Sequence, residues 1–252
     1  MGILSNLLKQ QPESVLNTLD QAQAPAPSST IDSDIYEVKI KDMYNIMSKN
    51  GALGIRLILG YGDNFAKEYR EDIYISNKDK KFTYVKDNKE YPLPGYTLIN
   101  DICGITVNSS LAQVSENTVE QVKKVHDFKS NSDVNESHET YIDMIDQIFL
   151  AGIVKQEETK KELGADGKLY STDKTRMTNH IRNVFTNDTQ NTLYELDHAE
   201  GDEAPEAKAY AQWIEAFKGK VIDKTDKSNV AANEPRTARQ ASEGRRSLRR
   251  NA

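Results

Sequence analysis

The chain has 252 residues, 37% of them hydrophobic and 29% charged, with a formal net charge of −6. Its mean hydropathy of −0.71 is low for a packed globule of this length. The composition therefore predicts a core of about 150–170 residues with disordered ends, because weakly hydrophobic segments cannot offset the entropy of ordering. A net negative chain does not coat nucleic acid through its overall charge, although a local basic track still acts through its own field. One cysteine, Cys103, excludes an internal disulfide and points to a reducing compartment. Its apolar setting, from Leu98 to Cys103, suits a buried structural thiol. No apolar run approaches the ~20 residues that cross a bilayer, and the N-terminus lacks the pattern of a signal peptide. The expectation is a soluble cytoplasmic protein, in a host cytoplasm if it is viral, with no membrane partner.

Ile3, Leu4, Leu7 and Leu8, then Val15, Leu16 and Leu19, give the N-terminus an amphipathic helical pattern that Pro12 interrupts. Gln21 to Ser29 is a linker by composition. Ile35–Ile40 alternates as a first strand, and Leu53–Leu59 is a second, almost continuously apolar. Gly60-Tyr61-Gly62-Asp63-Asn64 is turn chemistry, and Ala66–Ser76 returns as a third strand. Asp87-Asn88 separates Phe82–Lys86 from Lys89–Leu93, which predicts a smaller hairpin. Pro94-Gly95 then opens a helix that buries Tyr96, Ile99, Ile102 and Cys103.

Val119–Phe128 is strand-like, Ser130–Ser137 a polar loop and Glu139–Asp146 a helix with Ile142 and Ile145 inward. Ile148–Val154 starts a long strand that turns at Gly164-Ala165-Asp166-Gly167 and returns through Lys168 to Thr178. Leu193–Ala199 and Ala204–Phe217 pattern as two terminal helices. The organisation expected is a flexible helix and linker over 1–30, a folded domain over 31–190, helices over 191–220 and a basic disordered tail over 221–252. The fold class is mainly β with inserted helices (α+β). A small, partly open Greek-key barrel of the OB type accounts for the order of elements; a generic α+β sheet is the competing arrangement.

Aromatic and cationic residues alternate from Leu53 to Val107, and no catalytic signature interrupts them. Period two in the third strand puts Tyr69 with Ile73 and Ile75 on one face and Arg70 with Tyr74 on the other. Phe82, Tyr84 and Lys86 share a face of the next strand. Such a surface stacks bases and neutralises phosphates without reading sequence. The lysines at 78, 80, 81, 86 and 89 against Asp79 and Asp87 give net +3 over twelve residues. Lys155, Lys160, Lys161, Lys168, Tyr170, Lys174 and Arg176 repeat the mix on the long second hairpin, diluted by Glu157, Glu158 and Glu162. The candidate contacts to a single strand are Arg56, Lys67, Tyr69, Arg70, Tyr74, Lys80, Lys81, Phe82, Tyr84, Lys86, Lys155, Tyr170 and Arg176.

His126, His138, His180 and His198 are scattered, and one cysteine gives no zinc spacing. Asp143 and Asp146, three apart on a short helix, could pair as ligands, but a solvated helical face is the better explanation of them. Gly60-Tyr61-Gly62 lacks the spacing of a phosphate loop. No nucleophile and base occur in supporting context, so no cofactor and no enzymatic activity are expected. The last seventeen residues hold six arginines against Glu243, net +5. Arg245, Arg246, Arg249 and Arg250 would serve as a phosphate-binding or partner-binding tail. The acidic stretch Tyr194–Glu206 could attract that tail in the free protein.

Five segments in order resemble the single-stranded DNA-binding proteins of tailed bacteriophages, particularly those of podoviruses. They are Arg70-Glu71-Asp72-Ile73-Tyr74-Ile75, Lys80-Lys81-Phe82-Thr83-Tyr84-Val85, Tyr91-Pro92-Leu93-Pro94-Gly95-Tyr96, Ile102-Cys103-Gly104-Ile105-Thr106-Val107 and Gly152-Ile153-Val154-Lys155-Gln156. The resemblance covers about residues 53 to 186. It implies an OB fold, cooperative coating of single-stranded DNA and a role in replication and recombination of a viral genome. The chain departs from the acidic C-terminal tails usual in such proteins. Two other readings stay open. One is an adaptor that recruits replication, recombination or RNA polymerase proteins through the basic tail. The other is a DNA-processing enzyme built on a carboxylate cluster.

Overall fold

The computed structural model describes residues 30–127, 132–163, 169–201 and 203–226. The expected N-terminal helix and linker, the turn at 164–167 and the arginine tail lie outside the described residues. Contacts separate residues 1–31 from a unit that begins at Asp32, and that second unit is the fold described below.

Strand β1 (Asp34–Met47) organises it, pairing antiparallel with β2 (Leu53–Tyr61) on one side and with β8 (Ile148–Leu163) on the other. Its alternation points Val38 and Ile40 inward, opposite the buried face of β2. A register shift between Ile40 and Asp42 keeps Met43 inward against Leu57 and puts Tyr44 on the other face beside Arg56, where His138 and Lys123 bury it. Beyond β2 lies β3 (Lys67–Tyr74), and beyond β8 lies β9 (Leu169–Phe185), both antiparallel. The hydrophobic core is fully buried Val38, Ile40, Met43, Ile55, Leu57, Leu59, Phe149 and Ile153. The order is thus β9-β8-β1-β2-β3, and this sheet does not close, because no backbone ladder joins β3 to β9.

Helix α1 (Pro94–Val107) covers one end of the sheet with Ile99, Ile102 and Cys103 buried, while Tyr96 is only half-buried. Proline in its first turn is pre-set for helix. Gly95 is required by packing, since any Cβ there would run into the carbonyl of Tyr74. Cys103 is a structural thiol, and burial pushes its pKa up to about 12. A short helix, α2 (Leu111–Val114), follows with a Ser110–Gln113 capping box.

Two expectations fail between residues 130 and 146. Ser132–Tyr141 is strand β7, paired along its length with β6 (Thr118–Asp127), and only a single 3-10 turn (Ile142–Met144) occupies the place of the expected helix. Most of β7 is solvated, so no buried face left a period-two signal in Ser-Asp-Val-Asn-Glu-Ser. The β6–β7 hairpin meets the main sheet where Thr140 pairs with Tyr44. Lys123 secures it, with Nζ 2.8 Å from Asp42 and 5.3 Å from the Tyr44 ring centre.

After β9 come the short helix α3 (Leu193–Asp197), capped reciprocally by Thr192 and Glu195, and α4 (Lys208–Phe217). The expected start of the second helix at Ala204 is four residues early. Trp213 of α4 is 4% exposed and packs with Val154 and Phe185. A Cβ at Gly152 would stand 2.7 Å from that indole, so the glycine makes the notch the ring fills. Val221–Lys224, within the stretch assigned to the tail, is strand β10, parallel to β8. Among the described residues no helix is long and apolar enough to cross a membrane.

Candidate nucleic-acid interface

Strands β4 (Thr83–Lys86) and β5 (Lys89–Pro92) form a two-stranded sheet of their own. Asp87 and Asn88 both take positive φ (52° and 59°), the backbone of a turn whose twist matches the strands it joins. An isolated hairpin is marginal in water, and side chains hold this one. The Tyr84 and Tyr91 rings, cross-strand neighbours, stack at 5.8 Å and 29°. Thr83 donates to Glu90 on the opposite face. At the base, the Leu93 amide donates to the Phe82 carbonyl at 2.8 Å, and the Asn77 side chain accepts from the amides of Asp79 and Lys81, both at 2.9 Å. Phe82 leans on Tyr96 of α1 with ring centres 5.5 Å apart, which ties the arm to the body.

The register decides the composition of each face. Tyr84 pairs with Tyr91 and Lys86 with Lys89, so two rings and two ammonium groups share one side, with Phe82 just before β4. Phe82, Tyr84 and Tyr91 keep 41%, 41% and 40% of their surfaces in solvent. Lys86 and Lys89 share their face and Lys78, Lys80 and Lys81 precede the arm in sequence; none of the five forms an ion pair among the described residues. Tyr91 was not among the candidate contacts, Lys89 entered only as one of the lysine run, and Tyr96 was expected in the buried set of its helix. Counting pairs outward from the Asp87-Asn88 turn would have placed the first two.

Tyr74, 46% exposed, stands at the end of β3 in a different place. It lines a groove of about 540 Å³ with Met47, Leu53, Arg56, Val125 and His138, between the outer sheet face and the β6–β7 hairpin. Arg56 is committed there: its Nε and Nη2 donate to Asp72 at 2.6 and 2.7 Å. That fork raises its pKa further, against burial that lowers it. Arg70 is exposed and loosely paired with Glu68 at 3.4 Å. Lys67 sits 5.8 Å from the Tyr61 ring centre.

The remaining candidates are scattered over other elements. Tyr69 points to the gap between β3 and β9, where its hydroxyl donates to Glu71 at 2.8 Å and to the Asn179 carbonyl at 3.1 Å. Burial, then the Glu71 charge, pushes that hydroxyl's pKa up; its ring is not presented for stacking. Lys155 pairs with Asp32 at 3.1 Å and Arg176 with Glu158 at 3.4 Å, while Tyr170 is 53% exposed on β9. The geometry therefore concentrates Lys80, Lys81, Phe82, Tyr84 and Lys86 on one arm and separates them from Arg56 and Tyr74, and from Lys155, Tyr170 and Arg176. Among the described residues no cluster of three or more His, Cys, Asp or Glu side chains could hold a metal ion. Compared with known proteins, the chain matches no family model, no curated protein and no solved structure.

Proposed function

We propose that this protein binds single-stranded DNA without sequence preference, with the β4–β5 arm as the stacking element. The observation that carries the reading is the solvent-facing Tyr84–Tyr91 pair in a segment whose five lysines form no ion pair among the described residues and outnumber its aspartates. Every base has a π-face, so such a pair stacks any of them, and mobile ammonium groups follow the phosphates. The order β9-β8-β1-β2-β3, with α1 inserted after β3, supports an OB-type arrangement that is open at one seam. The resemblance to phage single-stranded DNA-binding proteins supports a place in viral DNA replication and recombination, in the host cytoplasm.

Fluorescence titration with single-stranded and duplex oligonucleotides of equal length tests this. The single strand binds tighter, and Tyr84→Ala with Tyr91→Ala weakens it by ~2–6 kcal/mol at ~1–3 kcal/mol per ring. A loss under ~0.5 kcal/mol, below the scale of one stacked base, would remove the arm from the interface.

A further inference from the structure

The seam between β3 and β9 has no backbone ladder, and side chains bridge it. Glu71 of β3 reaches across: its Oε2 accepts the Ile181 amide at 2.9 Å, and its Oε1 lies 3.0 Å from His180 Nδ1. The other ring nitrogen, Nε2, faces Glu158 Oε1 of β8 at 3.3 Å, yet it is shut off from solvent and makes no hydrogen bond. Glu158 is already occupied, accepting from Gln156 Nε2 at 2.6 Å and pairing with Arg176 at 3.4 Å. One imidazole thus stands between two carboxylates from strands on either side of the opening.

A neutral imidazole donates from one nitrogen only. The neutral ring therefore holds either Glu71 across the seam or Glu158 on the β8 side, and turns a lone pair toward the other carboxylate. The imidazolium instead offers a proton to both. We propose that His180 is a proton-operated latch: charged, it clamps β3 to β9, and neutral, it lets the seam loosen. β3 leads through residues 75–82 into the aromatic arm, so the latch controls the strand from which that arm hangs.

The surroundings favour the charged form. The hydrogen bond donated to Glu71, then the charges of Glu71 and Glu158, raise the His180 pKa above 6.5 against burial that lowers it. Burial alone would raise Glu158, but the Gln156 hydrogen bond and the His180 and Arg176 charges bring it below its ordinary value. The same cleft, about 890 Å³, also presents Asp72 from β3, Lys161 from β8, Arg182 from β9, and Lys224 and Asp226 from and beyond β10. α1 contributes Pro94, Gly95 and Leu98, none of them titratable. Because the folded pKa is raised, the latch's contribution is fully present below 6.5 and is lost as pH rises through the folded value.

The test uses the full chain without nucleic acid, so its outcome is independent of the DNA-binding proposal. Amide hydrogen exchange is followed from about pH 5.5 to about pH 9 and corrected for intrinsic rates. The Ile181 amide and the β3 amides lose protection by about tenfold or more across that range, while Leu57 and Leu59 keep theirs. In His180→Gln, folded by circular dichroism, that pH dependence disappears. Ile181 tracking Leu57 at every pH in the wild type, or an unchanged pH course in His180→Gln, overturns the latch. If the variant does not fold, the wild-type comparison of Ile181 with Leu57 decides alone.

Discussion

Three arginines expected at phosphates, Arg56, Arg70 and Arg176, each lean on a carboxylate, whereas the lysines of the arm do not. The difference matters because a cation already paired must break that pair before it meets a phosphate. Lys86→Gln with Lys89→Gln is therefore expected to reduce the salt slope of single-strand binding by about 1.4, at ~0.7 per contact; titrations over a salt series read it directly. Asp72→Asn strips Arg56 of one side of its fork and is expected to lower stability by about 1–2 kcal/mol in urea denaturation, less than a buried pair would because Asp72 is 34% exposed. Arg56 and Asp72 lie sixteen residues apart, so their pairing depends on the β2–β3 register. Single-strand periodicity shows that Arg56 faces outward but not which residue stands beside it.

The arm is an element with its own two-stranded sheet, joined to the body through the Leu93–Phe82 backbone bond, the Asn77 turn and the Phe82–Tyr96 contact. Its removal should not disturb the core. Replacing residues 83–92 by a short glycine linker is expected to leave the melting temperature of the body within about 4 °C, the shift that a change near 1 kcal/mol gives in a domain of this size. Oligonucleotide binding should fall by more than tenfold; a deletion that binds as well as the intact chain would place the interface elsewhere. The hairpin was legible because Asp87-Asn88 is strong turn chemistry between alternating segments. Strand β7 was not, because it is held by cross-strand pairing to β6 while most of its side chains stay in water. Sequence patterns report burial, and a strand without a buried face leaves no such trace.

The whole molecule depends on its C-terminal stretch more than its composition suggests. Trp213 fills the notch at Gly152 and α4 packs on Val154 and Phe185, while Ser33 ties the start of β1 to the residues before β10 by donating to the Lys220 carbonyl. Trp213→Ala is expected to cost about 3–5 kcal/mol, the range for deleting a large buried ring. Urea denaturation measures it, and a loss below about 1 kcal/mol would mean that the sheet stands without α4. The placement of α4 followed from its amphipathic pattern, but the sheet face it covers is set by Gly152, sixty-one residues earlier.

By itself the sequence determined the β-rich class, the strands with an apolar face, the helix opened by Pro94 and the arm with its rings and lysines. Those features are local: burial periodicity, proline geometry and turn chemistry act over a few residues. Only the tertiary structure decided that the sheet stays open between β3 and β9, that Arg56 is paired, that Tyr69 turns to the seam, and that His180 stands between Glu71 and Glu158. Each of these depends on register and on groups brought together from distant strands, and a side chain's charge or exposure is fixed by the neighbour it meets.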